Sequence, residues 1–314
     1  MAPTLYPLLE EVANGFGMAF GVLRQRSTEP MVTPPLLLQF RAGHAESPGW
    51  LLIQAQEFAP TPLTVALFRQ RDVYGAPRLI RALLDVLVTE GWFVDVAPEA
   101  YALAPLGRDI LERSQLRRAA LLAQLAPSLT VDLARLAALL QRVSTASLRD
   151  ATLFDPWCFA HSRQRAPAVA APPILQLFHF GDDFNALRDD AHMAAWQPLG
   201  IPGAAWEAFA FVCAGQATSA ADLMPHLAQR GYTQPEYAAL LDDVAARGWL
   251  QHTAEGFAVT ALGRQVRSQV EQQTDHYFAA PWGVLSSDEY HLTETLLTQL
   301  RDELNGVASQ SASS

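Results

Sequence analysis

Lysine is absent from this chain of 314 residues: all 22 basic side chains are arginine, the usage of a GC-rich genome rather than of a mechanism. Positive charge is scarce altogether. Thirty-two Asp and Glu residues outweigh the arginines and leave a net charge of −10. Such a surface works against broad contact with phosphates, so any DNA contact has to come from a local basic patch. Cysteine is nearly absent too. Cys158 and Cys213 exclude a disulfide framework and a four-cysteine zinc site, and both stand in apolar company (WCFA, FVCAG) as buried thiols of a reducing compartment. No apolar run reaches the ~18 residues of a membrane span. The first residues, MAPTLYPLLEEVANGFG, lack a basic n-region, so no secretory signal is expected and the expected location is the cytoplasm. G-x-S-x-G, G-x-G-x-x-G and P-loop patterns are missing, which removes the usual signatures of acyl transfer and of dinucleotide or nucleotide binding.

What is present is a repetition. EGWFVDVAPEAYALAPLGRDI at 90–110 and RGWLQHTAEGFAVTALGRQV at 247–266 are nearly the same sentence. Upstream stand RLIRALLDVLVTE and EYAALLDDVAAR, both with helical periodicity and both ending at Gly, which tolerates the left-handed conformation past a helix C-terminus. Each Gly-Trp opens a short apolar strand, a polar turn follows (APEA, AEG), and a second strand comes next (YALA, FAVT). Leu-Gly-Arg, at 106–108 and 262–264, then opens a long helix. PLTVALFRQ matches SAADLMPHLA as an earlier helix, and Trp50 and Trp206 hold matching places. Downstream, LTVDLARLAALLQRV at 129–143 matches LSSDEYHLTETLLTQL at 285–300. There Thr130 and Ser286 are expected to cap a helix, and the Asp two residues later favours its positive end.

The order of helices, β-ribbon and long helix is that of a winged helix-turn-helix. GWF–turn–YALAPLGR and GWL–turn–FAVTALGR resemble the wing and following helix of the MarR and PadR transcription-regulator families. The second copy is similar to a group of actinobacterial-type helix-turn-helix proteins through RDDAHMAAW, RGWL, LGR and TDHYFAAPW. The resemblance implies a mainly α fold with small β-wings, in which two MarR-like winged-helix units form an intrachain pseudo-dimer. The expected divisions are an N-terminal helical and extended segment at 1–47 (with a strand at PLLLQF), unit one at 48–145, a linker at 146–173, unit two with flanking helices at 174–304, and a disordered tail at 305–314. Within the linker, DPWCF is too aromatic for mere spacer and is expected to pack on a unit.

A helix-turn-helix places the start of its second helix in the major groove. In unit one that helix starts near Ala76 and carries Arg78 and Arg81. Arg69 and Arg71 precede it, and Arg108, Arg113, Arg117 and Arg118 follow the wing. Arg69, Arg71, Arg78, Arg81 and Arg108 are therefore the candidate DNA contacts; the alternative is an ordinary solvated face. In unit two the matching helix carries Glu236, Asp242 and Asp243, which repel phosphates, so this unit is expected to bind protein or to be structural.

FHFGDDFNALRDDAHMAAW at 178–196 puts Arg188 and His192 on one helix face. With Asp275 from TDHYFAAPW they are candidates for a small-molecule effector pocket or a pH-sensitive lock; the alternative is an acidic helix cap with His192 a satisfied side chain. A metal site from His179, Asp182, Asp190 and His192 matches no motif, and no metal or cofactor is expected. Gln54-Ala55-Gln56 is similar to a Gln-x-Gln signature of winged-helix DNA glycosylases, where a glutamine positions a water. His44 has no partner that the sequence assigns. The leading expectation is a DNA-binding transcriptional regulator, not an enzyme, that contacts double-stranded DNA through unit one and responds to a small ligand, as a pseudo-dimeric monomer or a homodimer. A winged-helix protein-interaction module is the competing reading and a glycosylase using Gln54 or Gln56 the third.

Overall fold

The computed structural model describes residues 5–26, 48–149 and 152–309. The strand expected at PLLLQF, His44 and the last five residues lie outside them. The chain is mainly helical, with two small antiparallel sheets of two strands each. The helices are α1 Tyr6–Arg26, α2 Pro48–Phe58, α3 Val65–Arg71, α4 Pro77–Thr89, α5 Pro105–Leu125, α6 Leu133–Arg149, α7 Trp157–Ser162, α8 Pro173–Trp196, α9 Gly203–Cys213, α10 Ala220–Leu227, α11 Gln234–Ala246, α12 Ala261–Ala279 and α13 Ser287–Ser309. Strands β1 Phe93–Ala97 and β2 Ala100–Leu103 form the first ribbon; β3 Leu250–Thr253 and β4 Gly256–Val259 form the second.

The repeated sentence has a physical cause that both copies share. Gly91 and Gly248 end α4 and α11 in the left-handed region, at φ of 75° and 76°. The tryptophan that follows is buried in each copy and sends its carbonyl to the next element: Ala104 N–H donates to Trp92 O at 2.9 Å, and Thr260 N–H to Trp249 O at 3.0 Å. The glycine of Leu-Gly-Arg lets the long helix approach that carbonyl. A Cβ at Gly107 would stand 2.2 Å from Trp92 O, and one at Gly263 2.1 Å from Trp249 O. The arginine then staples the wing to the helix. Arg108 Nη1 donates to Leu103 O, and Arg264 Nη1 to Val259 O at 2.9 Å.

The chain folds into two compact units. The winged unit draws on 33–111 and 193–273 and so contains both helix–ribbon modules. Its core includes Trp196, Trp206, Phe209, Leu223, Tyr237, Leu241, Val244 and Trp249, all buried, with the Trp196 and Trp206 rings stacked at 6.0 Å. In the first module Phe68, Ile80, Leu83, Leu84, Leu87 and Phe93 are buried in the same way. Thr64 and Ser219 cap α3 and α10 by accepting from Leu67 N–H and Asp222 N–H at 3.0 and 3.2 Å.

The helical unit draws on 1–32, 112–192 and 274–314. Leu9, Val12 and Phe16 of α1 meet Leu140 of α6, Leu177 and Phe180 of α8, and Leu297 and Leu300 of α13. Gly15 lets α1 lie close to α13, because a Cβ there would stand 3.0 Å from Leu304 Cβ. Ser286 begins α13 as expected, accepting from Glu289 N–H at 3.2 Å. Before α6, Asp132 rather than Thr130 takes the capping role, accepting from Arg135 N–H at 2.9 Å. Thr130 is occupied by Glu303 of α13, which accepts from its backbone N–H at 2.8 Å. DPWCF packs as its aromatic content implies: Cys158 and Phe159 are fully buried, and Asp190 caps α7 by accepting both of their N–H groups at 2.9 and 2.8 Å.

The close approach at Leu-Gly-Arg makes a stability prediction. Gly263→Ala should cost about 1–3 kcal/mol, as an overpacked site does, because the clash is with backbone rather than with a flexible side chain. Gly283→Ala, which meets nothing within 4 Å, should stay within about 0.5 kcal/mol. Denaturant titration followed by circular dichroism measures both.

Candidate functional site at the turns before α4 and α11

Within the winged unit, the turn that leads into α4 is packed on the turn that leads into α11. Arg78, on the first turn of α4, donates from both terminal nitrogens to the two carboxylate oxygens of Glu236, each at 2.6 Å, and also to Gly231 O. Glu236 is at the same time the N3 residue of α11 and accepts from Thr233 N–H at 2.7 Å in a capping box. Arg78 and then Thr233 hold the Glu236 carboxyl down at about 2. Ala76 N–H, at the N-cap of α4, donates to Arg230 O at 2.8 Å. Leu79 leans on Gly231, where a Cβ would stand 2.7 Å from Leu79 Cβ.

Beneath this clamp sits a charged cluster. Arg230 pairs with Glu207 at 2.8 Å and with Asp72 at 3.2 Å, and its guanidinium lies 5.3 Å from the Tyr74 ring centroid. Burial pushes the Glu207 carboxyl above its ordinary value; Arg230 pulls the other way and Asp72 adds to the rise. Low dielectric makes such a cluster sensitive to the loss of a partner.

The remaining candidate DNA contacts have neighbours within the same unit, although the Nε atom of Arg69 is buried without a hydrogen-bond partner. Arg81 pairs with Glu99 in the turn of its own wing, and Arg81 holds that carboxyl below its usual range. Arg108 carries out the same stapling as Arg264 in the acidic copy. The Arg71 guanidinium lies 5.3 Å from the Trp50 ring centroid. Arg69 is half-buried and close enough to Tyr232 to oppose the upward push of burial on that phenol. Neither ribbon carries an arginine: the first exposes Val94, Asp95, Val96 and Glu99, the second Gln251, His252, Thr253 and Glu255. Residues 48–111 hold five arginines against seven carboxylates, and 193–273 hold four against seven.

The effector candidates come together in the helical unit, with two rings beside the arginine. Arg188 pairs with Asp275 at 2.6 Å, with its guanidinium 4.9 Å from the Tyr6 ring centroid and 5.8 Å from that of Phe278. His192 Nδ1 lies 3.2 Å from Thr274 Oγ1. The four residues weighed as metal ligands serve separate partners. His179 lies 3.2 Å from Asp183, Asp182 pairs with Arg165 at 3.4 Å, Asp190 caps α7 and His192 meets Thr274. No group of three or more potential ligands gathers among the described residues. Gln54 is fully buried and donates to the buried Glu57 at 2.7 Å, while Gln56 is half-buried.

Sequence reasoning missed Asp72, Glu207 and Arg230, which are ordinary charges until the fold brings them together across 158 positions. It also missed an open cleft of about 740 Å³ in the helical unit, between Gln141, Arg142, Thr145 and Arg149 of α6 and Ala280, Pro281, Gly283 and Val284. Arg230→Met should destabilise the winged unit by about 3–5 kcal/mol by stranding two largely buried carboxylates. Glu207→Gln should cost less; the denaturation midpoints of the two variants test the order.

The helix, turn and ribbon order has a counterpart among known sequences. A family model described as a helix-turn-helix family matches residues 87–309, from the end of α4 through both ribbons to the end of α13. No curated protein and no solved structure matches the chain. Since the family match spans well over half of the sequence, this chain belongs to that helix-turn-helix family.

Proposed function

We propose that this protein is a winged-helix interaction module, a regulator that works through protein contacts rather than by reading DNA. In this reading its two MarR-like modules form a pseudo-dimer within one chain. The observation that carries the reading is the clamp on Arg78. The first turn of α4 is what a helix-turn-helix inserts into the major groove, and here its arginine is held by Glu236 and Gly231. Charge supports the same reading: both modules hold more carboxylates than arginines, and neither ribbon offers an arginine to the backbone.

The contacts at the junction support the pseudo-dimer. With Gly91 matched to Gly248, Asp72 and Arg230 fall one position apart in the repeat, and so do Arg78 and Glu236. Contacts between near-equivalent positions are what a self-complementary two-fold junction produces. The reading assigns no catalytic residue and no cofactor, and places the protein in the cytoplasm. A water-positioning role for Gln54 would require water to reach a fully buried side chain whose Nε2 is already committed to Glu57. An effector at Arg188, His192 and Asp275 would have to displace Arg188 from beside Tyr6 and Phe278.

A second reading, a ligand-responsive transcriptional regulator using Arg69, Arg71, Arg78, Arg81 and Arg108, is favoured by membership of a helix-turn-helix family. It requires the clamp to open before Arg78 meets a base. Fluorescence anisotropy with duplex DNA from the region upstream of the gene, at about 50 and 200 mM salt, separates the two. The interaction reading predicts no binding tighter than the non-specific range of about 10⁻⁴–10⁻⁶ M. Tighter binding with a steep salt slope, abolished by Arg78→Glu with Arg81→Glu, would establish the DNA reading instead.

A further inference from the structure

The two ribbons share a backbone plan but differ where they face solvent. With Gly91 matched to Gly248, Val94 and Val96 of β1 occupy the places of Gln251 and Thr253 in β3. All four are exposed, and Val94 and Val96 keep 46% and 51% of their surface open to water. Two apolar side chains held outward on a strand of five residues gain nothing from burial within the chain.

The neighbours of this strip carry negative charge. Asp95 lies between the two valines, and Asp85 of α4 accepts from Tyr101 Oη at 3.2 Å on the paired strand. Burial, then Asp85 and Asp95, push the Tyr101 phenol up against a smaller pull from Arg81, so both carboxylates act at one spot. Arg81 pairs with Glu99 and also acts on Asp85, so Asp85, Asp95 and Glu99 together outnumber it. One edge of the ribbon is used, because β2 is bridged to Leu63 through Leu63 N–H to Tyr101 O and Tyr101 N–H to Leu63 O, both at 2.8 Å. Among the described residues, β1 pairs with β2 and with no other strand. Its outer edge therefore combines free backbone groups with two valines and Asp95, and Asp85 stands nearby on α4 against Tyr101, the elements by which a sheet edge takes up an extended segment.

We propose that the outer edge of β1 docks an extended segment of a partner protein in which apolar and basic residues alternate. The valines take its apolar side chains, and Asp85 and Asp95 take its cations. A second copy of this chain is the wrong occupant, since it would bring Asp95 and the same acidic rim against themselves. The inference rests on the interaction reading above and names its partner chemistry. The bulge between Asp95 and Ala97 confines backbone pairing to the first half of the strand.

The test uses the full chain and a labelled peptide of about eight residues, a strand's length, with alternating valine and lysine and blocked ends. Anisotropy should report saturable binding. Val94→Gln with Val96→Thr, which installs the residues of the second ribbon and so preserves a foldable wing, should weaken it by about tenfold, the loss expected for two uncovered valines. Asp95→Asn should weaken it and make it less dependent on salt. A peptide of alternating serine and lysine should bind more weakly than the valine peptide. Equal binding of the two peptides, or no effect of the valine double variant, would overturn the inference by reducing it to attraction to a chain of net charge −10. A dimer in sedimentation that the double variant converts to monomer would overturn it in favour of a second copy. A chain that binds neither DNA nor peptide loses this inference alone, whereas tight DNA binding through Arg78 and Arg81 removes the reading beneath it.

Discussion

A bidentate ion pair between the first turn of one helix and the N-terminal cap of another governs how this molecule is to be read. Arg78 and Glu236 join the turns that lead into α4 and α11, which the sequence keeps 158 positions apart. The pair is exposed, with Arg78 keeping 53% of its side chain open, so little of the stability of the junction comes from it. That comes from what lies beside it: Arg230 between Glu207 and Asp72, and Leu79 against a glycine with φ of 76°. The pair does something else, which is to engage an arginine on the first turn of α4.

The same logic separates two kinds of arginine. A DNA-reading arginine is free to meet phosphate or base edges. Arg108 meets a strand carbonyl of its own ribbon, and its counterpart Arg264 does so in the copy whose first-turn residue is Glu236. A feature that both copies keep, whatever the charge of their helices, belongs to the fold. A feature in which they differ, such as Val94 and Val96 against Gln251 and Thr253, is where distinct tasks are to be sought.

Much of the local fold was legible in the sequence because it depends on short-range rules. The left-handed glycines, the ribbons and the Leu-Gly-Arg helix starts follow from residues within about twenty positions of one another, and the repeat states each rule twice. The first ribbon's acidic, apolar face was also readable in FVDVAPEA, although an arginine-centred reading passed over it. The pairing of the two turns was not readable. Asp72, Glu207 and Arg230 have no spacing that marks them, and their meeting depends on how whole modules pack. Arg188 and Asp275 were expected together and are together, with rings from α1 and α12 beside the guanidinium that no spacing announced. Periodicity places side chains on a face; it does not say what the face meets.

The absence of lysine offers a direct test of the junction in solution. Arg78→Lys introduces a unique side-chain amine within reach of the Glu236 carboxylate. A zero-length carbodiimide reagent, which joins only an amine and a carboxylate already in contact, then reports on that contact, and peptide mass spectrometry locates the bond. The account predicts an amide between position 78 and Glu236 that disappears under denaturing conditions. Labelling of position 78 without coupling to Glu236 in the folded chain would mean that the two turns do not face each other, and the first turn of α4 would stand open to DNA.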